Sequence, residues 1–381
     1  MGLKTYAANL IAIICIGAYI TATKLDFQWD LVGFSDLIDS NCPNFVNSDL
    51  LFGLRVVYLA IIAYTIVFML VDKEGLKLQL VNPADKLLDV HLFGIQRFSA
   101  FTVWSWTLQG FYFLLVTFFT VADKYAPALK TFLAPHQWLL TRLAWGGFEV
   151  SFAMSFMVTT VVTFILIPSA HRKKLPYDNF FKILPLLMHN LNVVFMASEL
   201  FFNKLPILLS HNALCFWWGM TYTLFAMYWF QLHGFFFYFF LDYSKPLAPI
   251  WTWILMGIYS LFFSSGHYLS LLARGDGSNN AEVQKYVALI VAFTIFAMKW
   301  PPKSKMYIMM DDIRFTFPFA ARFFRRSRQG AADDRIKADE DIDPSMLRKS
   351  PRGKSPARAR AKSPARGSSP AKSRSTHSGK K

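Results

Sequence analysis

The stretch LLFGLRVVYLAIIAYTIVFMLV, Leu50–Val71, is almost unbroken in its apolar character. The hydrocarbon core of a bilayer is about 30 Å thick and is crossed by roughly 20 helical residues, so this stretch is long enough to span it. In lipid no water is at hand for backbone N–H and C=O groups, and only single helices or closed barrels satisfy all of them. The run shows no alternation of period two, which excludes a barrel strand and leaves a helix.

Further runs of this kind lie on both sides of it, near Tyr6–Thr23, Phe98–Val121, Gly146–Pro168, Ile183–Phe202, Leu214–Leu241, Ile250–Ala273 and Val283–Trp300. The sequence therefore predicts an all-α, polytopic transmembrane helical bundle of about eight spans over residues 1–300. Composition agrees. Only 17% of the 381 residues are charged, 54% are hydrophobic and 39 are Phe, whereas soluble domains carry about a quarter charged residues. The first run, with Lys4 before it and Thr-Ala-Thr at its end, reads either as an anchor or as a cleaved signal peptide. Cys15, Cys42 and Cys215 make neither a disulfide framework nor a zinc spacing.

Orientation follows from Lys and Arg in the short loops. The loop after the first run holds Lys24 against Asp26, Asp30, Asp36, Asp39 and Asp49 and reads as lumenal or external. Lys73, Lys77, Lys86 and Arg97 in the next loop, and Arg172, Lys173, Lys174 and Lys182 later, mark the cytosolic side. Lys124, Lys130 and Arg142 run against this bias, since they fall on the predicted outer side.

After Trp300-Pro301-Pro302 the chain changes. Residues 301–329 form a juxtamembrane segment mixing Phe and Arg, as suits the headgroup region. Residues 330–381 are predicted to be a disordered, basic, Ser-Pro-rich tail on the cytosolic side, because they have too little apolar surface to fold. Its Ser-Pro units at Ser350, Ser355, Ser363 and Ser369 lie within a few residues of Lys or Arg. They predict proline-directed kinases and anionic lipid headgroups as partners of the tail.

Ionisable groups inside a span are rare, because each costs about 2.5–3.5 kcal/mol on insertion scales. The fifth run carries His189, Asn192 and Glu199. At 100° per residue Asn192 and Glu199 fall within about 20° of each other, with His189 one turn before Asn192. In the third run Thr102 and Gln109 also share a face. Thr102 follows Arg97 by five residues, His189 follows Lys182 by seven, and His233 precedes Asp242 by nine. These spacings put Thr102, His189, Asn192 and His233 at comparable depths, and a cluster of the four is predicted toward the cytosolic leaflet. Such groups otherwise serve as hydrogen-bonding glue between helices.

The stretches TVWSWTLQGFYF (Thr102–Phe113), LMHNLNVVFMASEL (Leu187–Leu200) and GFFFYFFLDYSKPLAP (Gly234–Pro249) resemble the androgen-induced transmembrane protein superfamily. The resemblance covers residues 98–272. The group includes androgen-induced hydrolases of fatty acid esters of hydroxy fatty acids, plant multipass proteins and the insect protein rolling stone. In the hydrolase branch a Thr nucleophile stands seven residues before a Gln, as Thr102 stands before Gln109. A later His pair is spaced by three, its first member matching His189 and its catalytic second member matching Asn192. An Asn lacks the basic lone pair that takes a proton from a hydroxyl. The His-x-x-Asn form is closer to the plant and rolling-stone branches.

The function so implied is lipid handling or membrane organisation without catalysis. The alternative is a Thr-dependent intramembrane hydrolase of lipid esters, with Thr102 as nucleophile, His189 as base, Asn192 or Gln109 polarising a carbonyl, and His233 in reserve. A transporter is a further alternative, although no internal repeat or paired broken helices are evident. Membrane lipids are the expected partners and nucleic acid is not. No cofactor or metal is expected. The endoplasmic reticulum, another endomembrane or the plasma membrane is the expected location.

Overall fold

The computed structural model describes residues 3–23, 28–81, 87–173 and 175–274. The expected eighth span, the juxtamembrane segment and the tail lie outside the described residues.

Among the described residues, seven main helices overlap the first seven apolar runs. They are α1 (Leu3–Thr23), α2 (Ser48–Val71), α3 (Phe101–Lys124), α4 (Gln137–Val161), α5 (Ile183–Phe202), α6 (Asn212–His233) and α7 (Ala248–Ala273). α4 belongs to a longer helical stretch, Pro127–His171. Among the described residues, five helices are long and apolar enough to cross a membrane: α2, α3, the stretch containing α4, α5 and α7. The chain thus has the character of an integral membrane protein.

α4 is the centre of the bundle and packs against α3, α5, α6 and α7. Trp145 and Phe148 on α4 and Phe113 on α3 are fully buried. Lipid tails are as apolar as Leu, so helices in a membrane associate by close packing rather than by withdrawal from water. Small residues accordingly sit where helices approach most closely. A Cβ added to Gly110 on α3 would stand 2.7 Å from Ile62 Cγ2 on α2, a distance that only glycine permits.

The loop between α2 and α3 holds a feature that the length of the apolar runs does not announce. Strands β1 (Leu76–Val81) and β2 (Leu87–Leu92) pair antiparallel, Leu78 opposite Val90 and Leu80 opposite Leu88. Val90 and Leu92 are buried with Phe235 between the hairpin and the loop after α6. Gln79 donates to Asp89 at 3.0 Å on the polar face. Arg97 Nη2 lies 2.5 Å from Asp72 Oδ2 and ties the hairpin's exit to the end of α2.

The sixth apolar run ends earlier than expected. α6 stops at His233 because Gly234, at φ 74°, takes the left-handed position that caps a helix end. The remaining Phe235–Leu241 folds back as an aromatic loop, with Phe236, Tyr238 and Phe240 buried against the bundle.

The bases that oppose the charge bias all have acidic partners. Lys124 pairs with Asp49, Lys130 with Asp123 at 2.7 Å and Arg142 with Asp30 at 3.3 Å. Lys204 joins Asp39 at 3.1 Å on the same side. Asp30 and Asp39 of the acidic loop, with Asp49 and Asp123 at the adjoining helix ends, neutralise that side locally.

Candidate functional site

Thr102 stands in the first turn of α3 and lines a cavity of about 70 Å³ between α3, α4, α6, α7 and the aromatic loop. Its wall is almost wholly apolar, with Val158 on α4 and Leu255 on α7 among the side chains that form it. The polar side chains at the wall are the hydroxyls of Thr102, Tyr222, Thr223, Tyr238, Thr252 and Tyr259. Tyr238 from the aromatic loop interacts with Thr102 through both side chain and backbone. Tyr222 donates to Ser99 O at 2.8 Å and so holds α6 to the start of α3.

The other residues of the expected cluster stand elsewhere. His233 is exposed at the end of α6, its ring 3.9 Å from that of Trp229. Its depth was inferred from a span running to Leu241, which would place it more than two turns inside the helix, and the cap at Gly234 removes that part of the span. His189 is buried on α5 but is not among the residues lining the cavity.

Asn192 serves as a junction between helices. Its Nδ2 donates to Ser155 O at 3.2 Å, and its Oδ1 accepts from Val193 N–H at 2.8 Å and lies 3.2 Å from the Thr159 hydroxyl. Thr159 donates to His189 O at 2.5 Å. In an unbroken α-helix Val193 N–H would donate to His189 O. The π-turn Leu187–Leu191 changes the ladder at this point, and both groups meet side-chain partners there. Gln109 Nε2 donates to Asn192 O at 3.0 Å. The polar face of α5 is therefore brought together with Gln109. It is spent on joining α3, α4 and α5, not on lining the cavity.

Two ionisable clusters went unread in the sequence. Arg55 on α2 and Glu199 on α5 form an ion pair with both side chains fully buried. Glu199 Oε1 also accepts from Tyr112 Oη at 2.6 Å and from Asn203 Nδ2 at 3.4 Å, while Arg55 Nη1 donates to Leu37 O at 2.6 Å. Arg274 reaches Asn203 Oδ1 at 3.2 Å. The second cluster joins His211 Nδ1 to Glu149 Oε2 at 2.5 Å, with Leu208 N–H donating to Glu149 Oε1 at 2.8 Å. Trp29 stacks on the His211 ring at 4.2 Å and Trp145 meets it edge-on at 4.8 Å. A lone Arg in the second run and a lone Glu in the fourth were the available signals. Both clusters gather at the end of the bundle that carries the acidic loop, whereas the cavity lies toward the hairpin end.

Chemically, the charged clusters are anchors between helices: Arg55, Tyr112 and Asn203 all meet Glu199 Oε1, and His211 and the Leu208 N–H hold Glu149. Among the described residues no group of three His, Cys, Asp or Glu side chains is placed to hold a metal. A nucleophilic Thr needs a base within about 2.6–3.2 Å of its hydroxyl, and the cavity wall offers Thr102 only other hydroxyls. What the cavity can do is take an apolar group. No protein-family model, curated protein or solved structure matches this chain.

Proposed function

We propose that this chain is a multipass membrane protein of lipid handling whose cavity beside Thr102 takes a hydrocarbon chain. The observation that carries the reading is the wall itself: a void of about 70 Å³, partly open, apolar and free of charged side chains, inside a bundle with apolar outer faces. Apolar cavities stay dry, and one of roughly twice this volume accepts benzene. The space suits the end of an acyl chain.

The proposal extends to eight spans, with the hairpin, the loop Ser169–Lys182 and the tail on the cytosolic side of an endomembrane or the plasma membrane. The pairing of Lys124, Lys130 and Arg142 with acids supports this orientation. It leaves the unpaired Lys residues on the hairpin side to set the charge bias. The tail is proposed to meet anionic headgroups and proline-directed kinases there.

A phosphatidylcholine carrying a photoactivatable diazirine on one acyl chain tests the cavity in nanodiscs. Adducts are expected on wall residues such as Val158 and Leu255, and Val158→Trp, which fills the space, should remove most of them. Adducts confined to outward faces in the unaltered protein would overturn the proposal.

The second reading, a Thr-dependent lipid ester hydrolase, is favoured by one observation, that Thr102 itself lines the cavity. It would require Thr102 to be activated without His189 or His233 at the wall. A serine/threonine-hydrolase probe that labels Thr102 would establish it; the lipid-handling reading expects no such label.

A further inference from the structure

We infer that the lipid seated in this cavity is an anionic phospholipid of the leaflet on the hairpin side, with its headgroup held at Lys173. This rests on the lipid-handling reading proposed above and adds the class of lipid.

The cavity reaches the hairpin-side end of the bundle, where Phe240 and Leu241 of the aromatic loop form part of its wall. Phe239 is next to them and packs against Phe240 with ring centroids 5.4 Å apart. Lys173 Nζ lies over the face of Phe239, 5.0 Å from its centroid. An exposed ammonium is thus fixed one aromatic ring away from an apolar void, at the end of the helical stretch that contains α4. This is the arrangement of an amphiphile read in reverse: a slot for the chain, an aromatic rim, then a positive charge at headgroup depth.

Charge pairing points the same way. At the opposite end of the bundle, Lys124, Lys130, Arg142 and Lys204 all have carboxylate partners. At the hairpin end, Arg97 is paired with Asp72, but Lys73, Lys77, Lys173 and Lys182 are exposed and have no ion-pair partner among the described residues. Asn179 Nδ2 donates to Lys77 O at 2.8 Å, so the loop after α4 and the hairpin form one surface. Glu74, Asp89 and Asp178 are exposed there too, and Gln79 holds Asp89. Asp242, beside Leu241, is buried and turned away into the loop, with Oδ1 accepting from Ser244 N–H at 3.0 Å and from its hydroxyl at 2.6 Å. Among the described residues, Lys173 is an exposed charge held beside the cavity rim.

A basic residue at a membrane surface is worth about a fivefold gain in affinity for anionic lipid, and salt weakens it. The test uses the full chain in phosphatidylcholine nanodiscs with two diazirine probes of identical acyl chains, one phosphatidylserine and one phosphatidylcholine. Several-fold more adduct is expected from the phosphatidylserine probe, mapped to the same wall residues. Lys173→Gln should lower the serine-to-choline ratio about fivefold, Lys173→Arg should preserve it, and raised salt should lower it in the unaltered protein. Equal adducts from the two probes in the unaltered protein would overturn the anionic assignment and leave the cavity reading standing. A ratio unmoved by Lys173→Gln would overturn the role of Lys173. Adducts absent from the wall with both probes would overturn the cavity reading itself.

Discussion

Arg55 and Glu199 show what a single residue can cost or secure in a bundle like this. Each charge is excluded from water, and each is tolerable only because the other is there, with Tyr112 and Asn203 adding donors to the same carboxylate oxygen. Removing one partner of a buried ion pair strands the other at a cost of about 3–5 kcal/mol, whereas replacing both with apolar side chains is often neutral. Arg55→Met should therefore lower the thermal unfolding midpoint of the detergent-solubilised protein strongly, and adding Glu199→Met should recover more than half of that loss. Strictly additive losses would mean that the two side chains are not energetically coupled. Asn192 is a contrasting case: its place on one face of α5 with Glu199 was legible from the spacing. Its partners on α4, Ser155 and Thr159, were not, because no spacing within α5 states which helix its polar face meets.

At the scale of elements, the hairpin is the part that carries a pH signature. Arg97 donates to the Asp72 carboxylate, Glu74 N–H adds a second bond, and together they hold the carboxyl below its ordinary range. A folded-state pKa that is lowered contributes stability at and above the ordinary carboxylate value of about 3.9. That contribution is lost as pH falls through the lower folded value. Amide exchange in β1 and β2, corrected for intrinsic rates, should stay level from neutral pH to about 5 and accelerate below about 4. Asp72→Asn should raise exchange at neutral pH and flatten the dependence; a profile identical to that of the unaltered chain would remove Asp72 from the account. The strands themselves could be read from Leu-Lys-Leu-Gln-Leu at 76–80 and Leu-Asp-Val-His-Leu at 88–92, whose alternation is of period two. A stretch of six residues is too short to register beside runs that span a bilayer. The end of α6 was likewise written at Gly234, inside an aromatic run that otherwise looks like more helix.

For the whole molecule, the paired charges define two ends. Epitope tags inserted after Phe45, in the exposed acidic loop, and after Pro176, beyond α4, are expected on opposite sides of sealed vesicles. A tag at Lys381 should share the side of Pro176 if the chain crosses eight times. Protease access to the first two tags from the same side would overturn the orientation drawn from the loop charges.

Run length and charge placement alone determined that this chain is helical and membrane-embedded, and where seven of its helices lie. Those properties depend on how a backbone is solvated in lipid, residue by residue along one segment, and need no knowledge of neighbours. Tertiary structure alone decided which polar groups meet and where space is left. Arg55 and Glu199 are 144 residues apart, Glu149 and His211 are 62 apart, and the cavity wall draws on four helices and a loop. The expected cluster of Thr102, His189, Asn192 and His233 was argued from depth, which is one coordinate of three. Rotation about each helix axis and the choice of neighbour supply the other two. They turned Asn192 into a tie between helices and kept Thr102 at the cavity, while the cap at Gly234 changed even the depth of His233 and left it exposed.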